Sequence, residues 1–254
     1  MKLTSLNLLS STLTSSLRLW NGTWGNRPGH PPAQEMELFD IEDDGQCRLV
    51  REALTELNLD VAIYPCPQGG KRFAARRKKL APKADAGPLL HDLNTGTVVQ
   101  SAARIVPYLF ENYGSQAVPM RLKQSLPNAL LAQLASLARG PFALRAQASK
   151  QPKQLLTLYS FESSPFSRLV RERLCELELP YHLINLGKLE WADMGPASFR
   201  FAPGPYQPQA GSKRAEFLEK YGKVQVPFLI DPNYKVEMFE SQEILQYINK
   251  TYAK

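Results

Sequence analysis

Two short segments carry the residues best placed for chemistry. "ESSPFSRLVRERL" (162–174) sets Ser164 and Ser167 around a proline and an aromatic, directly before a helical pattern. "EDDGQCRLVREAL" (42–54) sets Asp44 and Cys47 at the same spacing before a nearly identical pattern. A turn that opens a helix faces unpaired amides and the positive end of the helix dipole, so it favours an anion. A cysteine there would have a depressed pKa and would attack disulfides as the thiolate. A serine cannot do so near pH 7, but its hydroxyl can donate to another molecule's thiolate or simply cap the helix. Asp44 would cap a helix equally well, and its charge would repel a bound thiolate. Cys47 has no second cysteine near it in sequence, which argues against a disulfide-exchange pair.

The wider composition narrows the chemistry further. Only three cysteines (Cys47, Cys66, Cys175) and three histidines occur, with no CxxC pair and no metal-ligand spacing, so no metal site is expected. A sparse, odd cysteine set suits a reducing compartment. The formal net charge of +7 is compatible with an anionic partner without identifying one; no nucleic acid is expected. The densest basic run, "KRFAARRKKLAPK" (71–83), reads as a solvated helix face, with an anionic contact as the sharper alternative. No apolar run is long enough for a transmembrane helix. Residues 1–35 are Ser- and Thr-rich and read as a flexible leader rather than a signal peptide, with a weak transit peptide as the alternative.

The elements that must position these residues occur twice. "LFDIEDDGQCRLVREALTELNLD" (38–60) aligns with "LYSFESSPFSRLVRERLCELELP" (158–180) without a gap, 120 residues apart. "GPLLHDLNTGTVVQSAARIVPYLFENY" (87–113) lies over "VPFLIDPNYKVEMFESQEILQYINKTY" (226–252), 139 residues apart. The second copy therefore carries an insertion, placed in the Pro-, Gly- and aromatic-rich stretch 189–211. Each copy reads as strand, helix, strand, variable helix, hairpin and closing helix. In the first copy Pro107 falls inside the closing helix, where a kink or a shortening is expected. Between the copies, "SLPNALLAQLASLAR" forms a helical pattern with Leu126, Leu130, Leu134 and Leu137 near one face. It reads as a linker helix with its leucines buried on a module, the alternative being a helix lying on a membrane surface.

The turn Ser164-Pro165-Phe166-Ser167, the Val226-Pro227 step and the Glu240-Ser241 pair, in this order, resemble the N-terminal, thioredoxin-like domain of glutathione S-transferases, and also glutaredoxins. The doubling is similar to a group of tandem-module proteins of cyanobacteria and plastids. The resemblance implies an α/β fold: two tandem thioredoxin-like domains, each a four-stranded mixed sheet flanked by helices, joined by a helical linker. The division expected is an N-terminal extension (1–35), a degenerate domain (36–114), a helical linker (115–153) and a second domain (154–254). It implies glutathione as ligand or co-substrate. Ser164 would then take the catalytic position, and Val226 beside a cis Pro227 would clamp the cysteinyl backbone. Glu240 and Ser241 would hold the γ-glutamyl end. In the first copy the same positions are Asp44, Cys47, Gly87, Pro88 and Ser101, a site that has lost its function.

Two functions follow. One is a glutathione-binding, transferase-like protein with at most weak transferase activity and no thiol–disulfide exchange. The other is a non-catalytic scaffold that meets a protein partner or an anionic membrane surface. Such a chain is expected in the cytoplasm, or in the plastid stroma if its source is a plant or alga. No counterpart of the family's helical C-terminal domain, which normally walls the second substrate, is expected, and 189–211 or the 115–153 helix is the expected source of that wall.

Overall fold

The computed structural model describes residues 5–26, 29–83, 85–123, 125–140, 142–196 and 199–254. The chain opens with helix α1 (Ser5–Leu17). Then follow β1 (Met36–Asp40), α2 (Gly45–Glu56), β2 (Val61–Pro65), α3 (Ala74–Leu80), β3 (Leu89–Asp92), β4 (Thr97–Gln100) and α4 (Ala102–Tyr113). After α5 (Leu126–Arg139) the same order returns: β5 (Leu156–Ser160), α6 (Pro165–Glu176), β6 (Tyr181–Asn185), α7 (Lys213–Tyr221), β7 (Phe228–Asp231), β8 (Val236–Phe239) and α8 (Ser241–Tyr252). Helices α2 and α6 start where the sequence places their caps. Asp44 accepts from the Cys47 amide and Ser164 from the Ser167 amide.

The eight strands form one mixed sheet in the order β4-β3-β1-β2-β6-β5-β7-β8. In place of two separate four-stranded sheets, β2 and β6 pair antiparallel, with Val61 opposite Leu183 and Ile63 opposite Tyr181. Each of these strands would otherwise be an edge with unpaired amides and carbonyls, and pairing satisfies both. Asn185 fastens the junction, donating to the Leu59 carbonyl at 2.6 Å and accepting from the Thr55 hydroxyl at 2.9 Å. One buried apolar cluster runs from Leu38, Val50 and Leu54 to Leu158, Val170 and Leu174.

Each hairpin is tied to its closing helix by a buried aspartate. Tyr108 and Tyr113 donate to Asp92, while Tyr247 and Tyr252 donate to Asp231. Pro107 neither shortens nor ends α4, which is as long as α8. Proline removes one helical donor, and the buried Ile105, Val106 and Leu109 hold the turn in place.

Between α2 and α6 lies a buried ionic layer. Arg51 reaches Glu162 and Asp40, and Arg171 reaches Glu42 and Glu162. Arg18, just past α1, grips Glu52 of α2 through two nitrogens, and Arg139, the last residue of α5, does the same to Glu172 of α6. Such forked pairs are the strongest form of this contact.

Two expectations fail here. The expected flexible leader is helix α1, packed on α5 and α6. Its buried side chains are Ser11, Thr14 and Ser15, whose hydroxyls bond to carbonyls, Ser11 to Pro165 at 2.8 Å and Ser15 to Ser163 at 2.8 Å. The leucines of α5 also point the other way. Leu130, Leu134 and Leu137 are 62%, 52% and 66% exposed, while Ala132, Ala135 and Ser136 face inward; the Leu126 side chain lies outside the described residues. The reason is a close approach. A Cβ on Gly45 would stand 3.1 Å from the Gln133 amide nitrogen, so only small side chains fit on that face of α5. The basic run is partly spent internally as well, since Arg72 donates to the Leu177 and Glu178 carbonyls and Arg76 pairs with Glu37.

Candidate functional site

A cavity of about 970 Å3 opens at the N-terminus of α6. Ser164, Val226, Pro227, Glu240 and Ser241, which lie up to 77 residues apart in sequence, all line it. Ser164 caps the helix with Pro165 in its first turn, where a missing N–H costs nothing. The Ser164 oxygen accepts from the Ser167 amide at 3.3 Å, which leaves its own proton free to donate.

Val226 stands just before β7, whose ladder with β8 begins at Phe228 opposite Phe239. Among the described residues, Val226–Pro227 is the one cis peptide bond. Glu240 precedes α8 with φ +68°, a left-handed conformation costly for a side chain with a Cβ. Its carboxylate accepts from Gln225, which also lines the cavity. Ser241 begins α8 and is buried.

The first-copy positions do not form such a site. Of Asp44, Cys47, Gly87, Pro88 and Ser101, none lines this cavity. The turn at Asp44 and Gly45 is covered by the backbone of α5 at Ala132 and Gln133. Ser101 keeps the strained left-handed backbone of its counterpart, at φ +67°. Cys47 is fully buried, and burial together with Asp40 and Asp44 pushes its thiol well above the ordinary range.

Of the opposite wall, the share of the 189–211 insertion was expected and that of residues 19–24 was not. The wall comes from residues 19–24, between α1 and β1, and from the insertion, through Met194, Gly195, Arg200 and Phe201. The linker region adds only Arg121. Leu19 and Trp20 both adopt positive φ, 51° and 56°, strain that only surrounding structure can hold. Gly22 carries the chain past Glu162, where an added Cβ would stand 2.6 Å from the Glu162 Cβ. Trp24 and Lys188 then form a parallel bridge, with Gly25 donating to the Lys188 carbonyl and Lys188 to the Thr23 carbonyl, both at 2.8 Å. The signal for this wall was "LWNGTW" (19–24), two tryptophans inside an otherwise Ser- and Thr-rich segment.

The insertion is ordered around Asp193. It accepts from the Leu189 and Glu190 amides and from Tyr206, and pairs with Arg214 at 3.0 Å. Burial alone would raise this carboxyl, but Arg214 and these hydrogen bonds outweigh it and hold it low. Arg200 donates to the Asp193, Gly195 and Val224 carbonyls, which pins the insertion to the strand side.

The glutathione S-transferase N-terminal domain family matches residues 38–117 and 158–254. The chain belongs to that family. Neither the curated proteins nor the solved structures hold a significant match. Among the described residues, no helix is long and apolar enough to cross a membrane.

Proposed function

We propose that the protein is a glutathione-binding, glutathione S-transferase-like protein with at most weak transferase activity and no thiol–disulfide exchange. The observation that carries this reading is the convergence of Ser164, Val226, Pro227, Glu240 and Ser241 on one cavity. On this reading the chain holds two tandem units, 36–114 and 154–254, and only the second keeps the ligand. The Ser164 hydroxyl and the α6 N-terminus face the ligand's thiolate. The Val226 backbone pairs with its cysteinyl group beside the cis proline. Glu240 takes its ammonium group, and Ser241 with the α8 N-terminus takes its carboxylate. The protein works in a reducing compartment, the cytoplasm or a plastid stroma.

Glutathione titration followed by amide NMR shifts tests this. Micromolar to millimolar binding is expected, with shifts at 164–167, 226 and 240–241. Glu240→Ala should weaken it about ten- to a hundredfold, as for loss of one charged hydrogen bond. Ser164→Ala should leave affinity nearly unchanged and raise the pKa of the bound thiol. Silence at ten millimolar glutathione, or shifts confined to the first copy, would refute it.

A second reading is a non-catalytic interaction protein. The exposed leucines favour it: Leu6, Leu9 and Leu13 on α1, with Leu130, Leu134 and Leu137 on α5. The two helices pack on each other, and leucines exposed in this number suit a protein partner or a weak membrane contact. Co-sedimentation with anionic liposomes and size-exclusion chromatography separate those two partners.

A further inference from the structure

A second cavity, of about 340 Å3, lies beside α3. Its wall is shared by the two copies. Residues of the first copy between Cys66 and Pro82 line most of it, and Glu178, just past α6, lines it from the second. It has no residue in common with the cavity at the N-terminus of α6. Nor does it include Asp44, Cys47, Gly87, Pro88 or Ser101, the site positions of the first copy.

Glu178 is held there against its backbone preference. It stands at φ +48°, in the left-handed region. Its counterpart in the first copy is Asn58, at φ +52°, a residue type that tolerates this backbone. The Arg72 amide donates to Glu178 Oε1 at 2.9 Å. An added Cβ on Gly70 would stand 2.7 Å from the same oxygen, so the glycine leaves room for the carboxylate. Oε2 has no hydrogen-bond partner among the described residues.

Two cations line the same cavity, Arg77 and Lys78. Arg77 donates through Nη2 to the Asp85 and Gly87 carbonyls; its Nε and Nη1 have no partner among the described residues. Lys78 is exposed and has none either. Neither cation makes an ion pair with Glu178. A ligand with one charge would meet one attraction and one repulsion in this cavity, whereas a ligand with both charges meets two attractions. The rest of the lining, Cys66, Ala74, Ala81 and Pro82, is uncharged and small, which suits a short aliphatic group. Ligand sites span roughly 300–1,000 Å3, and this one lies at the lower end, the size for one or two amino-acid residues.

We infer that this cavity binds a small zwitterion, a free aliphatic amino acid or a dipeptide of two such residues, with its ammonium on Glu178 and its carboxylate on Arg77 and Lys78. The site exists only because the two copies are joined: the first supplies the cations and the second the carboxylate. The inference does not rest on the glutathione reading, because the two cavities are separate.

The test uses the full chain with L-leucine and leucylalanine, followed by amide NMR shifts. The controls are 3-methylbutylamine, which is leucine without its carboxylate, and 4-methylpentanoate, which is leucine without its ammonium. Leucine should shift the amides of Cys66, Gly70, Arg77, Lys78 and Glu178, and should bind at least tenfold tighter than either control. Glu178→Gln keeps an acceptor for the Arg72 amide. It should weaken leucine on the order of ten- to a hundredfold and leave 4-methylpentanoate no weaker. Lys78→Met, at an exposed position that does not threaten folding, should weaken leucine and leave 3-methylbutylamine no weaker. A response to leucylalanine alone would sustain the inference and set the length of the ligand. Leucine binding no tighter than its controls would overturn it, as would zwitterion binding that survives both substitutions, or silence of these amides toward both zwitterions at twenty millimolar. Leucine binding here with no glutathione binding would sustain this inference and refute the glutathione reading. Glutathione shifts at 164–167, 226 and 240–241 with leucine silent would do the reverse.

Discussion

The Arg51 guanidinium donates to Glu162 at 2.9 Å, and Arg171 donates back to Glu42 at 3.0 Å. Each arginine also reaches the carbonyl of the acidic residue in its own half, Arg51 to Glu42 at 2.7 Å and Arg171 to Glu162 at 3.0 Å. The two turns that open α2 and α6 are therefore locked to each other by one reciprocal, fully buried contact. Arg48 and Arg168 stand beside it with nitrogens that have no hydrogen-bond partner among the described residues. Glu162 serves most of these cations, and although burial alone would raise its carboxyl, Arg171, Arg51, Arg48 and Arg168 pull it down to about 2.

Glu162→Gln should destabilise the protein by about 3–5 kcal/mol, because breaking a buried ion pair strands its partners. Chemical denaturation at pH 7 measures this. The effect should exceed that of Glu237→Gln, an exposed carboxylate on β8. Equal effects would mean that water reaches the layer.

Stability should depend on pH through Asp43. Burial, only partly offset by Arg48, raises its carboxyl from 3.8 to about 8. The folded state thus holds a proton that the unfolded state releases. The resulting stabilisation is complete below pH 4 and is lost as pH rises through 8. Glu162 works the other way, contributing above about 4.5 and failing only as pH falls through 2. Asp43→Asn should flatten the limb between pH 4 and 8 and leave the variant more stable than wild type at pH 8.5. Melting temperatures across that range decide it.

The thiols should be inert in the native state. Cys47 and Cys175 are buried, and burial pushes both thiols well up and Cys66 to about 12. A thiol-reactive dye should label none of the three within minutes in buffer and all three in guanidinium. Insulin reduction should stay at background. Rapid labelling of Cys47 in native protein would reopen a redox role for the first copy.

Helix α5 should tolerate change on its leucine face and resist it on its alanine face. Leu134→Lys should shift stability by no more than about 0.5 kcal/mol, the usual range for exposed positions. Ala135→Leu should cost about 1–3 kcal/mol through overpacking against its neighbours. Thermal melts of the two variants distinguish the faces.

Much of the interior was legible because its residues repeat. The matched Arg51 and Arg171, and the matched Glu52 and Glu172, proved to be the ionic layer; the matched Asp92 and Asp231 proved to anchor the tyrosines. The site residues were legible as motifs, since each sits at an element boundary that the pattern marks. What escaped was partner choice. Alternation in "VAIYP" and "YHLIN" identifies strands without saying that they pair with each other. The orientation of α5 escaped because apolar side chains were expected inside, whereas Gly45 leaves room only for alanine and serine. Helix α1 escaped because its buried face is made of hydroxyls, which satisfy themselves on carbonyls and leave no apolar stripe to read. With α1 went Trp20 and Trp24, so half the cavity wall was hidden in a segment read as a leader.

The β2–β6 junction also bears on self-association. Two separate sheets would expose four strand edges, each a template for pairing with another chain. One continuous sheet exposes two, β4 and β8, and each is only four residues long, too short to recruit a neighbour well. The edges of β2 and β6 are consumed within the chain itself. Strand addition is thereby closed off at the centre of the molecule, and the fold guards against fibre formation by pairing with itself first.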